Sequence, residues 1–272
     1  MRLFLVLLCF VLIFKNAKFY KIVKKSPKET SIEYFTKQTQ NITIPIMIHI
    51  DSVLTKMLAK QYKTKRRHNM RNISKNLLKD VEKLFKHSNL NQEIKFKLID
   101  TKFLRNNMKK FTMDENVSKY LESYCSWQGE VKMMKKKWYY SVLLTGIDVY
   151  YIYNKRIIRS STGRSYMRSV CSIFNSCTLL EWKPKNLSYL LAHEIGHSLG
   201  ITHDGQDYND CRSTKHIMTP KYNPHNHPQT WSTCSRRDLD MFLVSKKSWC
   251  LRPDYELRLQ AHISKYKSNL EY

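Results

Sequence analysis

The chain has 272 residues and a mass of 32.6 kDa, which at roughly 100 to 200 residues per domain allows one large domain or two small ones. Hydrophobic residues at 42% and aromatics at 12% exclude a disordered tail, and six Gly with seven Pro exclude a collagen-like or linker-dominated chain. Lys and Arg total 48 against 22 Asp and Glu, a net charge of +26 with a pI near 9.8, which favours acidic partners.

The apolar run Leu3 to Phe14 behind Met1-Arg2 fits the short core of a secretory signal better than the roughly 20 residues of a membrane span. Residues 1–17 are therefore read as a signal peptide cleaved near Ala17, with an uncleaved signal anchor as the alternative because Lys15 departs from the small-x-small rule; on the first reading the mature protein is secreted and without a membrane span. Cys9 leaves with the signal. Cys125, Cys171, Cys177, Cys211, Cys234 and Cys250 remain, an even set that in an exported chain favours three disulfides, with fifteen pairings open. Sequons at Asn41, Asn72, Asn116 and Asn186 add the expectation of a glycoprotein.

Residues 18–40 are Lys- and Thr-rich without periodicity and read as an exposed basic leader. Ile42 to Ile50 reads as a buried strand, with Pro45 marking an edge or a bulge. Met70, Ile73, Leu77, Val81, Leu84 and Phe85 recur at helical spacing among Lys and Arg and predict a long amphipathic helix. The basic run Lys63, Lys65, Arg66, Arg67, Arg71 lies at or before its first turns; it is either a solvated face or a polyanion site. Ile94 to Leu98 alternates as a half-buried strand. A second helix is predicted over 114–128, with Asp114 as N-cap. Trp138 to Leu144 and Val149 to Tyr153 read as strands joined at Thr145-Gly146. Alternating strands and helices imply an α/β layer. Beyond Gly200 the composition shifts to His, Pro, Asn and Thr, predicting an irregular half held by disulfides, with metal as a further candidate support.

The stretch from Leu187 to Asp204 carries the chemistry. His193 and His197 are four residues apart, so on a helix both imidazoles project from one face close enough to ligate a single ion. Neutral imidazoles with no thiolate beside them suit Zn²⁺. Gly200 tolerates a positive φ, so the helix can end there and bring His203 back as a third ligand. Three protein ligands leave a fourth position open, as catalytic zinc sites do, and Glu194 is placed as general base.

The full pattern His193-Glu194-x-x-His197-x-x-Gly200-x-x-His203 resembles the metzincin clan. Asp204 after the third His resembles the adamalysin or reprolysin family, which includes the ADAM, ADAMTS and venom metalloproteases. Met218 in His216-Ile217-Met218-Thr219-Pro220 resembles that clan's Met-turn. Tyr124 to Gln128, Leu143 to Asp148, Ser169 to Cys171 and Trp231 to Ser235 resemble further family landmarks. The resemblance implies an α/β metzincin fold: a twisted, mostly parallel sheet with helices in an N-terminal subdomain, and a smaller irregular C-terminal subdomain. It covers 41–250 as the catalytic domain, leaving 251–272 as a charged tail.

The ADAMTS branch implies the pairs Cys125 with Cys177, Cys171 with Cys250, and Cys211 with Cys234. For the family's structural Ca²⁺, Pro45 falls where an acidic residue is expected, leaving Asp148 as the one candidate. His216, His225 and His227 fall outside the ligand set because three ligands are already supplied. Residues 18–40 leave no room for a pro-domain, and no Cys follows Cys250, so neither cysteine-switch latency nor C-terminal modules are expected.

The function implied is that of a secreted zinc endopeptidase acting on extracellular or host proteins, similar to stand-alone venom or salivary enzymes. An edge strand over 165–170 is expected to align peptide substrate. The competing reading is a catalytically weak basic protein that binds acidic ligands such as sulfated glycans. Heparin-like polyanions fit the charge as partners, whereas no aromatic signature of specific nucleic-acid recognition accompanies the basic runs.

Overall fold

The computed structural model describes residues 41–62, 67–86, 89–105, 111–159, 163–206, 209–212, 214–221, 223, 225 and 227–268. The expectations for the signal peptide, the basic leader and for Lys63, Lys65 and Arg66 lie outside the described residues.

Strand β1 (Ile42–Ile50) is buried at seven of its nine positions. It pairs in parallel with β2 (Ile94–Phe103) along its length and with β3 (Tyr140–Thr145) from Ile46 onward. Pro45 lies in the part of β1 with a single neighbour, just before the register with β2 shifts between Ile46 and Met47. A residue without an N–H is tolerated there. The sheet continues through β7 (Cys177–Glu181), parallel to β3, and ends at the antiparallel β6 (Gly163–Ser165), giving the order β2-β1-β3-β7-β6. The strands 138–144 and 149–153 are not partners: β4 (Tyr151–Tyr153) pairs instead with β5 (Arg156–Ile158) in a separate hairpin.

Helices cover both faces, which is why β3 and β7 are buried at nearly every position rather than at alternate ones. Val142, Leu144 and Leu180 join a core with Leu77, Leu78, Val81, Leu84 and Phe85 of α2 (Arg67–Lys86), whereas Leu143 and Leu179 join Val117, Tyr120, Leu121 and Tyr124 of α3 (Val117–Lys135). Neighbouring residues of one strand thus feed opposite layers, as the two-residue repeat requires. A short helix before α2, α1 (Ser52–Gln61), is capped by Asp51, whose Oδ1 accepts from Leu54 N at 2.7 Å. The same buried carboxylate accepts from Thr145 Oγ1 at 2.5 Å and Tyr120 Oη at 3.3 Å, so it also ties β3 to α3.

Helix α3 starts and ends later than the spacing suggested. Asn116, not Asp114, is the N-cap, accepting from Ser118 and Lys119 N–H groups, while Asp114 accepts from Asn116 N and so shapes the approach. The helix continues past Gln128 to Lys135, and Lys132 in this added part is buried: its amine donates to Ser176 O at 3.0 Å and to Ser176 Oγ at 2.7 Å.

Among the described residues the C-terminal half is irregular from Gly200 until α5 (Thr233–Val244), with the 3₁₀ turn Lys246–Leu251 behind it. Cys125 bonds Cys177, Cys171 bonds Cys250 and Cys211 bonds Cys234. Within the segment read as a charged tail, α6 (Tyr255–Ser268) packs back on the core through Leu259 and Ile263, and Trp138 meets Tyr255 edge to face. No described helix is long and apolar enough to cross a membrane.

Candidate metal centre

The site is built on α4 (Leu187–Ser198), whose Leu187, Leu190, Leu191, Ala192 and Ile195 are buried in the core. A helix this apolar is fixed by packing on several sides, so the direction of its polar residues His193, Glu194 and His197 is fixed too. Gly196 permits the closest of those contacts: a Cβ there would lie 2.9 Å from Met218 Sδ and 3.0 Å from Trp231. Met218 is fully buried beneath the helix, in keeping with the packing role that the Met-turn resemblance implies.

The helix ends as a Schellman turn. Gly200 has φ +91°, its N–H donates to His197 O at 2.9 Å, and Ile201 N–H donates to Gly196 O at 2.9 Å. The chain reverses and is pinned to α5, where Asp238 Oδ2 accepts from Thr202 Oγ1 at 2.6 Å and from Thr202 N at 3.1 Å. His203 follows at once and folds back over the helix.

The three imidazoles converge. His203 Nε2 lies 3.2 Å from His193 Nε2 and 3.0 Å from His197 Nε2. A tetrahedral zinc with Zn–N bonds of about 2.0 to 2.1 Å requires nitrogens about 3.3 Å apart, so the spacing fits the ion. The proton positions fit as well. His193 Nδ1 donates to Ile217 O at 2.8 Å, His197 Nδ1 to Ile201 O at 2.9 Å, and His203 Nδ1 to Gln206 Oε1 at 3.1 Å. Carbonyl oxygens only accept, so each Nδ1 carries the proton and three Nε2 lone pairs face one point. Burial and the neighbouring imidazoles lower the pKa of His197 and His203, which keeps these lone pairs free for a metal.

Glu194 is nearly buried. Ser165 Oγ contacts its Oε2 at 2.6 Å and its backbone O at 2.9 Å. Burial raises its pKa, opposed by the positive influence of His193, the Ser165 hydrogen bond and the Arg164 charge. Gly163 lets β6 lie against this side chain, since a Cβ there would be 3.2 Å from Glu194 Oε1 and 2.5 Å from Leu180. The edge strand is Gly163–Ser165 rather than 165–170: after Ser165 the chain leaves the sheet, Arg168 takes φ +54°, and the Arg168 and Val170 N–H groups donate to His197 O and Ser198 O. The end of α4 captures the backbone that would otherwise extend the strand.

Asp204 is fully buried. Its Oδ1 accepts from Ser232 Oγ at 2.6 Å, and its N–H donates to Met218 O at 2.9 Å, so it joins the turn after His203 to the Met218 segment and to the N-cap of α5. Asp204 also lies close to Cys211 and Cys234, but those two sulfurs are bonded to each other. His216 bonds Thr230 at 3.1 Å, His225 is exposed and the ring of His227 lies tilted against Tyr189, so none of them joins the converging trio. Asp148, the Ca²⁺ candidate, faces Arg159 at 3.3 Å, and the same guanidinium reaches Glu115 at 3.0 Å. Sequence reasoning missed Ser165 as a partner of Glu194 and Gln206 as a partner of His203. No spacing signal connects the first pair; only the three-residue separation of the second is visible in the chain.

Comparisons with known proteins agree with this geometry. The mouse protein "A disintegrin and metalloproteinase with thrombospondin motifs 18" is 31% identical over 173 residues, covering 63% of this chain and 14% of that protein. The human "A disintegrin and metalloproteinase with thrombospondin motifs 19" is 28% identical over 190 residues, covering 64% and 16%. The human "A disintegrin and metalloproteinase with thrombospondin motifs 20" is 32% identical over 147 residues, covering 50% and 7%. The chain thus spans only a small part of the length of the relatives it matches. The pattern described as "Reprolysin (M12B) family zinc metalloprotease" matches residues 44–254, which include α4, His203, Met218 and all six bonded cysteines, and the chain belongs to that family.

Proposed function

We propose that the chain is a secreted zinc endopeptidase that hydrolyses peptide bonds in extracellular proteins, with His193, His197 and His203 as the metal ligands and Glu194 as the general base. The observation that carries this reading is the convergence of three Nε2 atoms, each with its Nδ1 proton already committed. When bound there, zinc supplies a Lewis acid for the scissile carbonyl. Glu194 takes the proton of the attacking water and delivers it to the leaving amine nitrogen, a role that suits a carboxylate whose pKa burial has raised. Ser165 fixes one oxygen of that carboxylate, and the outer edge of β6 offers backbone groups for an extended substrate to add as a further strand.

Secretion is supported by the apolar N-terminal run and by three disulfides, which persist in oxidising compartments. Attachment to heparin-like polyanions is supported by α2, where Arg71, Lys75, Lys79 and Lys83 form one exposed row at four-residue intervals, about 6 Å apart along the axis.

Glu194→Ala tests the catalytic assignment. Zinc content and fold are expected to stay, because the three imidazoles remain, while turnover of a denatured protein substrate falls about 10² to 10⁴-fold. Equal rates in the two proteins would remove Glu194 from the mechanism, and unchanged zinc content in His203→Ala would remove His203 from the ligand set.

A further inference from the structure

The edge strand that borders Glu194 carries a cation on its other face. Gly163 and Ser165 both turn toward Glu194, as the 3.2 Å approach at Gly163 and the 2.6 Å contact of Ser165 show. Side chains alternate along a strand, so Arg164 between them projects to the opposite face, the side of the sheet covered by α3. Arg164 is exposed. Among the described residues it forms no ion pair, although its charge acts through space on Tyr166 and on Glu194. One side of β6 is occupied by β7, with Arg164 opposite Leu179, and among the described residues the sheet ends at β6.

A peptide that adds to the outer side of β6 places one residue directly across from Arg164, and directly opposed side chains share a face with Cβ atoms about 4.5 to 5.5 Å apart. We infer that Arg164 is a specificity-determining residue that selects substrates carrying Asp or Glu at the position paired with it. This rests on the proposed function and names its substrate class: polypeptides with an acidic residue next to the cleavage site, on the side of the extended chain facing away from Glu194. The other side chains of β6 supply no charge of their own, since Gly163 has no side chain and the Ser165 hydroxyl is engaged with Glu194.

The test uses the zinc-loaded protein and paired peptides that differ only by Asp or Lys, placed in turn at each position around the scissile bond. The wild type is expected to prefer Asp over Lys at one position by about two- to fivefold in kcat/KM, the range for an exposed cross-strand ion pair. Arg164→Glu is expected to invert that ratio at the same position. Lys97→Glu, an exposed charge reversal on the opposite edge strand β2, separates local contact from overall charge. It is expected to leave the ratio in favour of Asp. A ratio that is the same in wild type and Arg164→Glu overturns the inference, as does an equal change in both variants, which would assign the preference to net charge. Anisotropy binding of the same labelled peptides reads the subsite without turnover. Arg164-dependent binding with no cleavage would sink the endopeptidase reading and leave the subsite standing, whereas cleavage with no Arg164 dependence in either assay would do the reverse.

Discussion

Gly200 shows how a single residue positions the metal centre. Its φ of +91° closes the Schellman turn that ends α4, and a Cβ there would lie 3.1 Å from Phe242 Cβ and 3.3 Å from Arg168 Cγ. Gly200→Ala therefore meets both a left-handed backbone and crowded neighbours. The expected cost is above about 1 kcal/mol of stability, together with weaker zinc retention, because the turn sets where His203 returns. Thermal unfolding and zinc retention during dialysis against a chelator check this, and a variant matching wild type in both would remove the turn from the site's support. Lys132 makes the opposite point about legibility. A lysine on an amphipathic helix reads as solvated, yet this amine is buried against Ser176, and burial holds its pKa well below the usual 10.5. Nothing local in the sequence marks it, because its partner lies 44 residues away.

At the scale of elements, the site depends on segments with little regular structure, and the disulfides hold these in place. Cys171 follows directly on the backbone that hydrogen-bonds the end of α4 and is bonded to Cys250 in the 3₁₀ turn, 79 residues on. Replacing both with Ala is expected to lower stability by about 2 to 4 kcal/mol, as closing a long loop restricts the unfolded chain. The same variant should lose zinc more readily, since the Arg168 and Val170 contacts to His197 O and Ser198 O lose their anchor. Denaturant unfolding with parallel metal analysis reads both effects, and an unchanged midpoint would show that packing alone holds this corner. Helix positions were the most legible elements, because α2 and α3 carry clear apolar spacing. Their ends were less so: Asp114 and Asn116 are both competent caps, and the choice fell to Asn116, whose backbone is held by the Glu115–Tyr150 and Val117–Tyr150 hydrogen bonds.

For the whole molecule, charge and architecture act separately. The net charge of +26 does not decide the fold; it decides which surfaces attract the protein from a distance. Retention on heparin is expected to exceed that of a neutral protein and to fall as salt rises, because exposed charges are screened within about 8 Å at physiological ionic strength. Reversing Lys75 and Lys79 to Glu should shift elution to lower salt if the α2 row is the contact. Elution of the wild type together with a neutral control would remove polyanions from the expected partners.

The sequence by itself determined the fold class, the spacing of the three histidines and Glu194, and the turn at Gly200, because these depend on local periodicity and on one residue's backbone freedom. It also carried, through family resemblance, the three cysteine pairs that the structure contains. Tertiary structure alone decided that β6 is three residues long and lies against Glu194, that Ser165 holds the carboxylate, and that Arg164 faces away. It also decided that 255–268 folds back as a helix on Trp138 and the core. These outcomes rest on contacts between residues far apart in the chain. Which backbone N–H the end of α4 captures, or which face a short strand presents, follows from packing that no local pattern records.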